Sequence, residues 1–141
     1  MKANVKANIS KYKSLIGLVL LCIVITIVTP NFLSVSNITN VFTQVSVNAI
    51  IAIGMTFVIL TGGIDLSVGS TLAISSAVGA SIVKSTGNVF LAIIVAAVIG
   101  IAVGLINGLL VSKGKLQAFI VTLATMTIFR GATLVFTDGT P

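Results

Sequence analysis

Apolar residues run in long blocks along this chain, and the polar residues between the blocks are few and clustered. The first block, about Leu15 to Thr29, stops before Pro30, whose missing N–H and ring clash end a helix. Uncharged PNFLSVSNITN at 30–40 reads as a loop, and a second block covers Val41 to Leu60. TGGIDLSVGS at 61–70 then interrupts the pattern with Gly, Ser and one Asp. A third helix, rich in Ala, Ser and Gly, is expected over Val68 to Val83, turning at KSTGN (84–88). A fourth runs about Val89 to Val111 ahead of SKGK, and a fifth Ala118 to Phe136 ahead of TDGTP at 137–141. Crossing a bilayer takes about 20 apolar residues, so the expected fold is all-α. It is a polytopic transmembrane bundle of about five segments with a broken helix at GGIDLSVGS. The first block is short for a crossing, and its lysine-bearing flank completes it.

Composition agrees with the pattern: 57% of residues are hydrophobic and 7% charged, against roughly 45–50% and about 25% in soluble domains. The net charge of +6 raises the question of nucleic acid, but the lysines sit beside membrane blocks. Lys2, Lys6, Lys11 and Lys13 precede the first, and Lys113 and Lys115 follow the fourth. Flanking lysines mark cytoplasmic ends, and no aromatic-basic pattern of a base-stacking surface is present. Residues 1–14 are therefore expected to be a basic cytoplasmic N-terminus and 15–141 a membrane domain in the cytoplasmic (inner) membrane. Lys84 alone falls on the other side. A basic stretch followed by an apolar one also fits a signal peptide, but no small-residue cleavage site follows Thr29, so a retained helix is expected.

Catalysis finds little support. Cys22 is alone inside an apolar block and the chain has no His, so no disulfide framework, metal cluster or histidine base is assigned. Asp65 and Asp138 lack the Gly-x-Gly-Asp setting of a membrane aspartyl protease, and no phosphate-cradling Walker loop appears. The chain is expected to bind no cofactor itself.

Three groups of residues remain. In the break, Gly62, Gly63 and Gly69 supply backbone freedom, and Asp65 or Ser67 can accept N–H groups where the next helix starts. Irregular backbone at membrane depth is tolerated only where protein buries it or where it lines a water-filled cavity, so the break is read as hinge and cap or as part of a path. Ala92, Ala96, Gly100, Gly104 and Gly108 recur every four residues, a face along which another backbone can pack, or a pore wall. Asn107 lies beside the last two and suits a hydrogen bond across such a contact. The third group is polar: Gln44 with Asn48 one turn apart, Thr122 and Thr125 sharing a face with Phe129, and Arg130 about 18 Å along the last helix. With Asp65 and Ser67 these are the candidate substrate-path residues. Intramembrane charges are functional suspects, although a threonine in a helix equally bonds to its own backbone.

SVNAIIAIGMTFVILTGGIDLSVGS at 46–70, KGKLQAFIVTLATM at 113–126 and RGATLVFTDGTP at 130–141 resemble the permease subunits of ribose-type ABC importers. The likeness covers nearly the whole chain after Lys13. It implies a subunit that translocates a monosaccharide, with ribose expected. The implied partners are a second permease subunit, a cytoplasmic ATPase that binds and hydrolyses ATP, and an extracytoplasmic sugar-binding protein. Members of the family continue through further spans, so a chain ending at Pro141 is expected to be its N-terminal part. Two other readings stay open on the residues alone. One is a passive channel or ion-coupled carrier using Asp65 and Arg130; the other is a membrane fragment that assembles through its small-residue helix without transporting.

Overall fold

A computed structural model describes residues 12–139, and its regular structure is helical throughout. The helices are α1 (Lys13–Val28), α2 (Val35–Leu60), α3 (Val68–Thr86), α4 (Val89–Ser112) and α5 (Ala118–Phe136). Lys2, Lys6 and Lys11 of the expected basic N-terminus, and Thr140 and Pro141, lie outside the described residues. The chain divides into two units, 1–50 and 51–141, and α2 crosses the division at Ile50.

In the first unit, α1 ends at Val28, ahead of Pro30. The loop expected over 30–40 is shorter than the sequence pattern indicated, because α2 begins at Val35. Ser34 accepts the Asn37 N–H at 3.2 Å, and the Asn37 amide donates to the Phe32 carbonyl at 2.7 Å. These bonds occupy polar groups at the helix entry, so the cluster of Ser and Asn that reads as loop is a cap.

In the second unit, α3 packs against both α4 and α5, and α4 against α5. α3 extends three residues beyond the expected Val83, and the turn narrows to Gly87 and Asn88. Gly87 adopts φ 69°, and its N–H reaches the Val83 carbonyl at 2.9 Å; only a residue without a β-carbon takes this left-handed cap cheaply. Asn88 then caps α4 by accepting the Leu91 N–H at 3.0 Å. A two-residue connection makes α3 and α4 an antiparallel hairpin. The link from α4 to α5 is also short, with Gly114 packed under the Leu110 carbonyl.

Three helices, α2, α4 and α5, are long and apolar enough to cross a membrane. α1 is apolar but 16 residues long, about 24 Å, and α3 is long enough at 19 residues but diluted by serine and threonine. The distribution of side chains is that of a membrane protein. Large apolar residues of every helix are exposed, among them Val24, Phe57, Leu72, Ile101 and Ile128. The buried set among the described residues contains Ile74, Ala92, Val103 and Val121, but also Ser67, Ser70, Ser75, Asn107, Thr122 and Thr125. Lipid is as apolar as leucine, so burying leucine gains little there, whereas polar groups profit from facing one another.

Candidate functional site

The break between α2 and α3 is a built structure. Gly62 has φ 76°, its N–H donates to the Ile59 carbonyl at 2.9 Å, and the Gly63 N–H donates to the Val58 carbonyl at 3.1 Å. This pair of bonds is a Schellman cap, which requires the left-handed residue at Gly62 and closes the open carbonyls of α2. Gly69 is exposed in the first turn of α3. Beyond the cap, Asp65 Oδ1 accepts both the Ser67 N–H at 2.8 Å and the Ser67 hydroxyl at 2.6 Å. The carboxylate thereby satisfies an open donor at the start of α3, where the helix dipole also favours negative charge. No cation pairs with Asp65 among the described residues.

Ser67, 1% exposed, is the first member of a chain of side-chain hydrogen bonds through the three-helix core. The Asn107 amide donates to Ser67 Oγ at 3.0 Å, and Thr125 donates its hydroxyl to Asn107 Oδ1 at 2.7 Å. The direction is fixed by chemistry: Ser67 gives its single proton to Asp65, so its oxygen can only accept from Asn107, and the Asn107 amide orientation follows. The order runs Thr125 to Asn107 to Ser67 to Asp65 and ends on the carboxylate. Hairpin register brings these residues together. Ser67 and Asn107 each lie 20 residues from Gly87, and Asn107 and Thr125 each lie nine from Leu116. Thr122 adds a further tie, its hydroxyl lying 2.8 Å from the Ala118 carbonyl and 3.2 Å from the Ile64 carbonyl in the break.

Beside this chain lies a groove of about 230 Å³, lined by Thr61, Gly63 and Asp65 of the break and by Gly104, Asn107, Gly108 and Thr122 of α4 and α5. It is smaller than the roughly 300–1,000 Å³ of pockets for drug-sized ligands, and its lining offers hydroxyl, amide and carboxylate groups over glycine backbone. Asn107 is six residues before Lys113, about 9 Å along the helix, so the polar groups lie below the level of the exposed lysines.

The small-residue face of α4 divides. Ala92 is buried and its carbonyl approaches Gly79 of α3, and Ala96 and Gly100 are half-buried. Gly104 and Gly108 are exposed, with open space where a β-carbon would stand, and they line the groove. The candidate path residues also separate. Asp65, Ser67, Thr122 and Thr125 gather at the break. Phe129 instead lines an apolar recess of about 370 Å³ between α4 and α5, and Arg130 is exposed on α5. Gln44 and Asn48 are exposed on α2 in the first unit. Asn107, expected from the sequence to bond across the α4 contact, does so to Ser67 and Thr125. Thr61 was not singled out from sequence, nor was Ser67 as the partner of Asn107; reflecting polar positions across the Gly87 turn is the signal that pairs them.

Residues 37–140 match the family described as "Branched-chain amino acid transport system / permease component". Among curated proteins, the chain is 54% identical to the ribose import permease protein of Haemophilus influenzae, over 92% of this chain and 40% of the relative. It is 49% identical to that of Escherichia coli strain K12, over 96% of the chain and 42% of the relative. With that of Bacillus subtilis strain 168 the identity is 55%, over 89% and 39%. The chain thus spans about two fifths of the length of these relatives. No solved structure matches it. With a polar core at a broken helix, apolar surfaces facing outward and a family match over most of its length, the chain belongs to the permease components of this transport family.

Proposed function

We propose that this chain forms part of the permease of an ABC importer that carries a monosaccharide, ribose, across the cytoplasmic membrane, with its N-terminus on the cytoplasmic side. The observation that carries this reading is the 49–55% identity to ribose import permeases of three bacteria over nearly the whole chain. The groove is compatible with a sugar. Its lining presents Asp65, Thr61, Asn107 and Thr122, and hydroxyl, amide and carboxylate groups suit a polyol.

In this reading the permease performs no covalent chemistry and holds no cofactor. A cytoplasmic ATPase binds and hydrolyses ATP, an extracytoplasmic binding protein delivers the sugar, and a second permease subunit completes the path. ATP-driven rearrangement changes which side of that path is open. Asp65, Ser67, Thr122 and Thr125 belong to the path's structure at the break, with Gly62, Gly63 and Gly69 shaping the backbone there. Gln44, Asn48, Phe129 and Arg130 are assigned to it as further candidates. The test is uptake of labelled ribose by vesicles holding the complete permease with its ATPase and binding protein. Uptake that stops without ATP is expected; uptake that continues without the ATPase would overturn the importer reading in favour of a channel or ion-coupled carrier.

A further inference from the structure

Both hydrogen bonds that hold Asp65 end on Oδ1, and neither uses Oδ2. Asp65 lines the groove, is half-buried, and meets no cation among the described residues. A carboxylate in such surroundings is costly unless its remaining oxygen finds a donor. The position of Oδ1 is set by Ser67, and Ser67 is set by Asn107, which is itself anchored by Thr125. Asn107 is 6% exposed and cannot swing freely, so the order of donors determines which carboxylate oxygen is left over.

We propose that Oδ2 of Asp65 accepts a hydrogen bond from one hydroxyl of the sugar in the groove. Asn107, acting through Ser67, is the positioning residue that keeps this oxygen available. The proposal rests on the sugar-import reading above and adds to it the group that reads a hydroxyl and the residue that aims it. Gly104 and Gly108 line the same groove and contribute by leaving open space where a β-carbon would stand.

The reading predicts how substitutions act on choice among sugars. In the complete importer, uptake of ribose is compared with uptake of each singly deoxygenated ribose. The same binding protein serves every arm, so a change in the ratio belongs to the permease. Asp65→Asn keeps an oxygen at Oδ1 for the Ser67 N–H, which retains the turn, but replaces the acceptor at Oδ2 with a donor. For one deoxy position, the preference for ribose is expected to fall about tenfold, the scale of a lost hydrogen bond to a charged acceptor. Asn107→Asp removes the donor to Ser67, turns the Ser67 hydroxyl away from Asp65, and is expected to lower that same preference together with thermal stability.

The two substitutions combined decide the matter. With a carboxylate at 107 and an amide at 65, Thr125 and Ser67 both donate to position 107, and the single negative charge of the network is restored. The double variant is expected to regain stability while the preference stays lost. An unchanged preference in Asp65→Asn, or its recovery in the double variant, would overturn the proposal and leave Asn107 as a structural tie only. If the unsubstituted importer takes up no ribose, the sugar reading falls and this proposal with it; ribose uptake with a preference indifferent to Asp65 sinks the proposal alone.

Discussion

In residues 12–50, Thr26, Thr39, Thr43 and Ser46 each donate their hydroxyl to the carbonyl four residues back in their own helix. In residues 51–139 some hydroxyls do the same, Thr56 and Thr127 among them, but Ser67, Asn107, Thr122 and Thr125 also reach other elements. The contrast lies in what surrounds the groups. α1 has no buried residue, whereas α3, α4 and α5 each bury polar side chains against one another. A hydroxyl that closes on the backbone of its own helix ties that helix to no neighbour. Where helices meet, the same residue types fix register.

The largest test of that contrast is a substitution whose effect is purely steric. A β-carbon at Gly114 would stand 2.5 Å from the Leu110 carbonyl oxygen, a backbone atom with little room to retreat. Gly114→Ala should open the link between α4 and α5, shift the register that pairs Asn107 with Thr125, and cost about 2–3 kcal/mol. Thermal unfolding in detergent measures it; a melting temperature equal to that of the parent would mean the link does not set the register.

Next comes the network itself. Asn107→Ala removes the central member, leaving Thr125 to its own helix through the Val121 carbonyl, 3.0 Å away, and Ser67 to Asp65. Because both neighbours keep a partner, the expected loss is about 1–2 kcal/mol, the range of polar contacts between membrane helices. A loss near zero in the same unfolding assay would place the cohesion of the three helices in their apolar and small-residue contacts.

At the break, Gly62→Ala asks for a left-handed backbone at φ 76° from a residue with a β-carbon. Space is open around it, so the cost is the backbone conformation alone, about 1 kcal/mol. Since the Schellman cap aims the chain toward Asp65, limited proteolysis of the 61–67 segment should accelerate in this variant. Unaltered cleavage would separate the cap from the order of the break.

How much of this could be read without coordinates depended on whether a signal was local. The apolar blocks, the Pro30 stop and the glycine-rich break are local, and α5 occupies the expected Ala118 to Phe136. The start of α2 misled because Ser34 and Asn37 have the composition of a loop and the role of a cap. The face shared by Thr122 and Thr125 follows from helical period, but its partners do not. Ser67 is 40 residues from Asn107, and only the tight turn at Gly87 converts that separation into contact. Phe129, on the same expected face, lines the apolar recess instead, together with Ile106 and Ile128.

The finest difference sharpens the comparison most, because it applies one chemical change in both regions. Thr to Val removes a hydroxyl and keeps the branched shape. Thr43→Val deletes a bond to the Thr39 carbonyl on an exposed helical surface, and the new methyl meets an apolar medium. Its effect should fall within about 0.5 kcal/mol. Thr125→Val deletes the donor to Asn107 Oδ1, leaving a buried amide oxygen without its partner, and should cost about 0.5–1.5 kcal/mol more. Unfolding both variants side by side under identical conditions isolates the difference between a hydroxyl that serves its own helix and one that serves a neighbour. Equal effects would mean that Thr125 remains bonded to Val121 in solution, and that the chain through Asn107 begins one residue later than the geometry indicates.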